Sequence, residues 1–363
     1  MKEKEIIKNV IENKRVVTGP DYRDMGAILL FIFLLPYIVS FFFGNAGIGE
    51  ELEENMPDEK VAFEVEMFRE DLSEAEYIVC NTTIAGTEKI PLETYLVSRL
   101  PATIDMEYEL EVLKAQAIVL RTELLRNYYE TKHTAEANDG NAQNEEGKHY
   151  IYIESSLPQV SEQVYEKSKE AVSSTRGMYL TYEKVPATAP YFAVSAGMTR
   201  NGSEAFHSED YPYLKSVVCE RDFTSENYVQ TIKLSKQAFY ERLWELANEK
   251  NMSKEEEHGQ VQELLSQGLE KSVSVNRDSA GYVTDVLVDG AYISGEGIRS
   301  AFLLNSSCFE WEEEGSTVVI RVKGVGHGLG LCHYGANEMA KEGNDYINIL
   351  QYFFADIVIE KTE

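Results

Sequence analysis

The chain has 363 residues, and its 62 acidic side chains outnumber 34 Lys and Arg, which gives a net charge of −28. A body this acidic offers no electrostatic attraction to phosphate backbones, which argues against a nucleic-acid partner; solubility is the simplest account of the charge. The four cysteines lie far apart, without the CxxC spacing of a structural zinc site, so we predict no metal and no cofactor.

The N-terminal part predicts a membrane anchor. Residues 25–49 carry no charge and include a run of apolar residues close to the ~20 needed to cross a bilayer. Six Lys and Arg precede this run, which places the N-terminus in the cytoplasm by the positive-inside rule. A signal peptide cleaved near Ala46 is the alternative, and it would export the same domain. The predicted order is a cytoplasmic tail (1–25), a transmembrane helix (26–46), an acidic linker (47–76) and an extracytoplasmic domain (77–363).

Beyond the linker, helical and strand-like patterns follow one another without regular βα alternation. Apolar periodicity predicts helices over 108–129, 161–175, 235–249, 251–271 and 334–354, the last broken near Gly343. β-Branched and aromatic runs predict strands over 149–153, 178–182, 191–195, 272–275 and 318–322. The aperiodic stretch 134–148 is expected to be a mobile loop. This mixture predicts an α+β fold.

The first of these helices has two distinguishable faces. A buried stripe is predicted from apolar residues at +3/+4 spacing, namely Leu110, Leu113, Ala117, Leu120 and Leu124. Glu107, Lys114 and Arg121 repeat every seven residues and therefore share a neighbouring face, which would present two cations together. The alternative is a solvated stripe in which Lys114 pairs with Glu111.

Four glycines at alternate positions surround His327 in the segment Gly324–Gly330 and lead into the last helical pattern. Such spacing indicates backbone that approaches a ligand closely or turns that need positive φ. A crowded strand or bulge in which His327 bonds the backbone is an equal alternative. The segment lacks the Gly-Lys-Ser/Thr ending of a phosphate loop, so no nucleotide site is predicted.

The segment GHGLGLCHYGA, residues 326–336, resembles the GHGVGMSQYGA signature of the stage II sporulation protein D / amidase enhancer (SpoIID/LytB) family. Residues 91–97 and 109–122 are similar to that family's LEDYVVGVV and LEALKAQAVAARTY segments, and weaker matches follow in the family's order. The resemblance covers about residues 77 to 360. It implies a SpoIID-like mixed helix and sheet domain that acts on peptidoglycan.

Active members of this family are lytic transglycosylases, which cleave glycan strands and leave 1,6-anhydro-muramyl ends. The resemblance implies a glutamic acid that protonates the leaving oxygen, eleven residues before the lysine of KAQ. That position is Thr103 here, or Arg99 if the prolines are aligned instead. Asp105 and Glu107 are candidate substitute acids, and His333 is a further hypothesis.

The resemblance also implies a set of glycan-binding residues. These are Lys114, Arg121, Ser195, Arg200, Tyr213, Asp222, Gly326, His327, Gly328 and His333. Arg200 and His333 stand where the family has threonine and glutamine. Some clostridial members bind zinc through a Cys/His cluster, of which only His133 and His149 are present, so no such site is expected. Cys219 with Cys308 is the first disulfide guess among three possible pairings.

These features predict a single-pass membrane protein that binds or remodels peptidoglycan glycan strands, or that assists a wall hydrolase such as an amidase. An active transglycosylase with a relocated acid is one alternative. A non-catalytic structural partner of other membrane proteins is another. Whether the chain is an enzyme, and whether it acts in sporulation or in vegetative growth, stays open at this point.

Overall fold

The computed structural model describes residues 76–83, 86–137, 148–247 and 254–362. The predicted tail, transmembrane helix and nearly all of the acidic linker lie outside these residues, and so does most of the predicted loop at 134–148. Within the described ranges, no helix combines the length and apolar character that a bilayer span requires.

The described elements are mixed α and β. In chain order the helices are α1 (Leu92–Arg99), α2 (Leu110–Ala137), α3 (Glu162–Ser174), α4 (Gly202–Phe206), α5 (Lys236–Ala247), α6 (Lys254–Gln267), α7 (Leu269–Ser272), α8 (Gly295–Phe302), α9 (His333–Lys341) and α10 (Tyr346–Phe353). The strands are β1 (Tyr77–Thr83), β2 (Gly86–Pro91), β3 (His149–Ile153), β4 (Met178–Tyr182), β5 (Val185–Pro186), β6 (Tyr191–Phe192), β7 (Val229–Ser235), β8 (Val273–Arg277), β9 (Val283–Val288), β10 (Ala291–Ser294), β11 (Phe309–Glu314), β12 (Thr317–Lys323), β13 (Leu331–Cys332) and β14 (Val358–Lys361). The predicted α+β fold is confirmed.

The long helix α2 is the centre of the first hydrophobic core. Leu113, Ala117, Leu120 and Leu124 of the predicted stripe are buried, whereas Leu110 at the first turn is only half-buried. Burial of each leucine stabilises the fold by about 1.5–3 kcal/mol, so the stripe sets which side of α2 faces inward. Helices α1, α3, α9 and α10 and strands β3, β4 and β5 pack around it.

Small sheets complete this core. Strand β1 lies between β2, with which it is antiparallel, and β3, with which it is parallel. Strand β4 lies between β5 and β14, and the two-residue strands β6 and β13 pair in parallel.

A second core is formed by residues of β7 to β12 and their helices. Its sheets have the orders β11-β12-β7 and β10-β9-β8. Phe239, Tyr240 and Trp244 of α5 pack against them and are at most 4% exposed. The glycine segment Gly324–Gly330 then returns the chain to the first core.

The sequence patterns located most of the described helices but a minority of the described strands. The strands predicted at 149–153 and 178–182 have those bounds, and the helix predicted at 161–175 is α3, whose first turn is capped by the Ser161 hydroxyl. Residues 334–354 form two helices separated at Gly343, where φ is +93°.

Three predictions need correction. The first helix begins at Leu110, so Glu107 lies in the loop before it and does not share its face. Residues 134–137 belong to α2 and not to a loop. The strand predicted at 191–195 is paired only at Tyr191–Phe192 and at a bridge between Val194 and Val325, because the glycine segment beside it is too irregular to form a longer ladder.

Candidate functional site

Thr103 lies directly after a 3₁₀ turn, Leu100–Ala102, and its hydroxyl begins a chain of hydrogen bonds. Thr103 Oγ1 donates to the carbonyl of Leu100 at 2.9 Å and lies 3.4 Å from Gln116 Nε2. Gln116 Oε1 lies 2.9 Å from His333 Nε2. Because the threonine proton is used on a carbonyl, Gln116 must donate to Thr103 and His333 must donate to Gln116. This chain connects the turn, α2 and α9.

His333 is nearly completely buried, and its ring stacks on Tyr191 with centroids 5.3 Å apart and planes 21° apart. Burial lowers the pKa of His333 to about 3, with a smaller contribution from nearby His327. The imidazole is therefore neutral near neutral pH, with its proton on Nε2. This environment argues against the hypothesis that His333 replaces the missing acid, because a general acid must hold a transferable proton at the working pH.

Replacing His333 with glutamine is expected to make stability less sensitive to acid. An unfolded histidine binds a proton near pH ~6.5, whereas the buried one does not until about pH 3, so the free energy of unfolding falls as the pH drops below ~6.5. Between about pH 7 and about pH 5 the wild type should lose about 2 kcal/mol more than His333→Gln. Urea unfolding at both pH values measures this, with exposed His207→Gln as control. Equal losses in wild type and His333→Gln would contradict the assignment.

The glycine segment is crowded by the protein itself. Gly326 and Gly328 are buried and have φ of +112° and +80°. An added Cβ would lie 2.6 Å from Phe192 Cβ at Gly326 and 2.5 Å from Tyr282 Cζ at Gly328. The structure therefore supports the crowded-backbone alternative, and the expectation that these glycines border a ligand is not met. His327 fits the same alternative, since its Nδ1 accepts from Leu329 N at 3.1 Å and burial lowers its pKa to about 4.

Arg200 holds this segment in place. Its backbone N–H donates to Gly328 O at 2.7 Å, and its Nε donates to Asp278 Oδ2 at 2.6 Å. The guanidinium also lies 5.2 Å from the centre of the Tyr282 ring, and the residue is 7% exposed. The guanidinium of Arg200 is directed at Asp278 and the glycine segment, so Arg200 has a structural role. The sequence-based prediction that it is an accessible sugar ligand is corrected.

The two cations predicted to share a face have different environments. Arg121 is 0% exposed, and its Nε and Nη2 donate to the two carboxylate oxygens of Glu93 at 2.8 and 2.7 Å. Lys114 keeps 18% of its side chain exposed and lies 2.6 Å from Glu111 Oε1. The pairing with Glu111 is confirmed. The prediction for Arg121 is corrected because α3 and β4 cover that turn of α2, so a glycan strand cannot reach its guanidinium.

Comparison with known proteins decides the family. A family model described as Stage II sporulation protein (SpoIID) matches residues 80–182. The chain is 30% identical over 291 residues to the stage II sporulation protein D of Bacillus amyloliquefaciens, covering 78% of each chain. The chain belongs to the stage II sporulation protein D family. It is also 29% identical to the protein of that name from Bacillus subtilis (strain 168), over 78% of this chain and 79% of that one. An uncharacterised Brachyspira hyodysenteriae protein is 25% identical over 78% of this chain and 70% of its own length.

In this SpoIID-family chain the remaining predicted ligands are mostly interior. Ser195 and Asp222 are fully buried, and Ser195 N donates to Asp222 Oδ2 at 2.6 Å. Tyr213 is 4% exposed; its hydroxyl accepts from Thr188 N at 2.8 Å. It lines a cleft of about 1130 Å³ together with Tyr182. These residues support the fold, and the structure does not gather them on one surface with Thr103.

The candidate acids stand on an exposed loop. Asp105 and Glu107 are both exposed, and Asp105 Oδ1 accepts from Glu107 N at 2.9 Å. Arg99 ends α1 and is half-exposed. The hydrogen-bond chain from His333 reaches Thr103 through Gln116.

Several residues that build the site were not singled out from the sequence. They are Glu93, Gln116, Asp278, Tyr282 and Asn337. Asn337 Oδ1 accepts from Glu109 N at 2.9 Å, which connects the loop before α2 to α9. Glu93 and Gln116 lie inside the two segments that carry the SpoIID resemblance, so those segments held the signal. Asn337 directly follows the signature segment 326–336, whereas Asp278 and Tyr282 lie outside the segments quoted for the resemblance.

The cysteine predictions also change. All four cysteines are free, so the guessed pairing of Cys219 with Cys308 is wrong. The fold instead gathers Cys219, Asp222 and Cys332, three buried residues with potential metal-ligand atoms within 4.8 Å of one another. No local spacing could indicate this group, because its members come from different parts of the chain.

Proposed function

We propose that this protein is a membrane-anchored, extracytoplasmic member of its family that binds peptidoglycan glycan strands and has little or no lytic transglycosylase activity of its own. The observation that carries the proposal is the position of Thr103. Where the family resemblance places a glutamic acid, a hydroxyl is fixed between Leu100 O and Gln116 Nε2.

The chemistry of the loop supports a weakened activity. A threonine hydroxyl does not give up its proton near neutral pH, and general-acid catalysis contributes about 10²- to 10⁴-fold. A glycosidase acid obtains its raised pKa from apolar, desolvated surroundings. Asp105 and Glu107 are exposed instead, so neither has such surroundings in this structure.

The binding surface is proposed to lie around Lys114, at the start of α2. Its ammonium group has three donors and Glu111 accepts from one of them, which leaves donors for sugar hydroxyls or a muramyl carboxylate. The half-buried ring of Tyr346 lies 5.9 Å from the Lys114 ammonium and offers an apolar face beside it. A cation next to an aromatic ring suits a sugar, which presents both hydroxyls and C–H groups.

A second candidate function is an active transglycosylase with a relocated acid. The observation in its favour is that Asp105 carries an exposed carboxylate only two residues after Thr103. The two proposals differ in product: incubation of the full-length chain with amidase-stripped glycan strands gives 1,6-anhydro-muramyl ends, detectable by mass spectrometry, only in the second case. Loss of those ends in Asp105→Asn would then name the acid.

Lys114→Ala is expected to weaken strand binding about tenfold, which corresponds to about 1.4 kcal/mol. The reason is loss of a charge-assisted hydrogen bond to the glycan. Co-sedimentation of the full-length chain with glycan strands measures the affinity. Lys169→Ala is the matched control, since Lys169 also lies three residues after its glutamate partner, Glu166, on a helix. Binding that is unchanged in Lys114→Ala, or absent from the wild type, would rule out this surface and favour a structural role.

A further inference from the structure

Two cysteines that are distant in sequence meet beside a buried carboxylate. Cys219 immediately precedes the 3₁₀ turn that contains Asp222, and Cys332 ends β13 just before α9. The exposed fractions of Cys219, Asp222 and Cys332 are 3%, 0% and 0%. One potential ligand atom from each lies within 4.8 Å of those of the other two.

The hydrogen bonds of Asp222 are incomplete. Its Oδ2 accepts from Ser195 N at 2.6 Å and from Cys332 Sγ at 2.9 Å. Its Oδ1 is buried and has no hydrogen-bond partner within the part of the chain that the structure describes. A buried acceptor without a hydrogen bond costs about 1–3 kcal/mol. The unsatisfied Asp222 Oδ1 therefore calls for an explanation, and a bound ligand outside the protein chain is one.

The first turn of α9 packs closely on this group. An added Cβ at Gly335 would lie 3.0 Å from Asp222 Oδ1 and 3.7 Å from Cys332 Sγ, so a larger residue at this position would crowd the carboxylate oxygen. Burial raises the pKa of the Asp222 carboxyl, and the negative charge of Glu338 raises it further. The site therefore combines soft sulfur donors and a carboxylate with a shortage of positive charge.

We propose that Cys219, Asp222 and Cys332 bind a zinc ion. Thiolate and carboxylate are ligands that zinc prefers, with Zn–S near 2.3 Å and Zn–O about 2.0–2.2 Å. Sulfur ligands of a tetrahedral zinc ion lie about 3.8 Å apart, so a pair of sulfur atoms at the 4.8 Å limit would need to close by about 1 Å. Cys332 Sγ and Asp222 Oδ2, now 2.9 Å apart, would need to separate slightly.

These residues supply three of the four zinc ligands and most of the charge. Two thiolates and Asp222 Oδ1 give three ligand atoms, which leaves the fourth tetrahedral position for a water molecule, and Ser195 N–H, already bonded to Oδ2, would orient the carboxylate. Binding releases the two thiol protons and leaves a complex with one net negative charge in place of one buried carboxylate. The ion would fasten the turn at 220–224 to the start of α9, which carries His333. This inference does not depend on the proposed glycan binding.

Zinc content of the full-length chain tests the proposal. After purification under reducing conditions and equilibration with zinc, elemental analysis should find about one zinc per wild-type chain, following the ligand count. Cys332→Ser keeps a hydroxyl that can donate to Asp222 but removes a thiolate, so it should lose the zinc. Cys308→Ser is the matched control, because Cys308 is a free cysteine outside the cluster, and it should keep the zinc.

A second measurement does not depend on a variant folding. Zinc should protect Cys219 and Cys332 of the wild type from alkylation, as read by peptide mass spectrometry, and should leave Cys308 unprotected. Zinc content at background with all four thiols reduced would overturn the proposal. A disulfide between Cys219 and Cys332, found in peptides from protein isolated without reductant and insensitive to added zinc, would also overturn it.

Discussion

Replacing Thr103 with glutamate is expected to raise the formation of 1,6-anhydro-muramyl ends by about 10²- to 10⁴-fold over the wild type. The new carboxyl group would start from the same turn, where Gln116 Nε2 is already directed at the side chain. Thr103 is half-buried, unlike exposed Asp105, and partial burial favours the protonated form that an acid catalyst needs.

Thr103→Gln is the matched control, because its side chain has the same length and no acidic proton. Both variants are incubated as full-length chains with amidase-stripped strands, and the anhydro ends are counted by mass spectrometry. A wild type that is already as fast as Thr103→Glu would sink the proposed loss of activity. A folded, strand-binding Thr103→Glu that stays inactive would show that more than the acid has been lost.

Arg121→Ala is expected to be the most destabilising of the proposed substitutions, by about 3–5 kcal/mol. The guanidinium is fully buried, holds both oxygens of Glu93, and donates through Nη1 to Met178 O at 2.9 Å. Truncation leaves a cavity and removes the partner of the Glu93 carboxylate, which keeps only 18% of its side chain exposed. It also removes the tie between α1, α2 and β4.

Far-UV circular dichroism during urea unfolding measures this loss. Tryptophan fluorescence is less suitable, since both tryptophans, Trp244 and Trp311, belong to the second core. Lys114→Ala is the control and should change stability by at most about 1 kcal/mol, because its ion pair is partly exposed. If Arg121→Ala kept its stability and lost strand binding instead, the role assigned to Arg121 here would be wrong and the face predicted from the sequence would be restored.

Apolar periodicity was sufficient to locate a helix or strand where the pattern depends only on residues within that element. The stripe from Leu113 to Leu124 located the inner face of α2, and alternating β-branched and aromatic residues located β3 and β4. These signals are local, because a helix or strand must place its apolar residues on one side to be buried. The family segments were recognisable for the same reason, as short runs with fixed spacing.

The roles of individual polar residues did not follow from such runs. Lys114 and Arg121 are seven residues apart on one helix, yet one reaches solvent and the other lies in the core. The difference arises because α3 and β4 cover only one of the two turns. The glycines around His327 similarly fit neighbours brought from elsewhere, Phe192 and Tyr282, and not a ligand.

The sequence by itself therefore determined the family, the α+β class, most of the described helices and a minority of the described strands. Only the tertiary structure decided that Thr103, Gln116 and His333 form one hydrogen-bonded chain, that Arg121 and Arg200 are structural, and that Cys219, Asp222 and Cys332 meet. The physical reason is that exposure, pKa and ligand geometry depend on which distant segments pack against a residue, and its immediate sequence neighbours do not specify those segments.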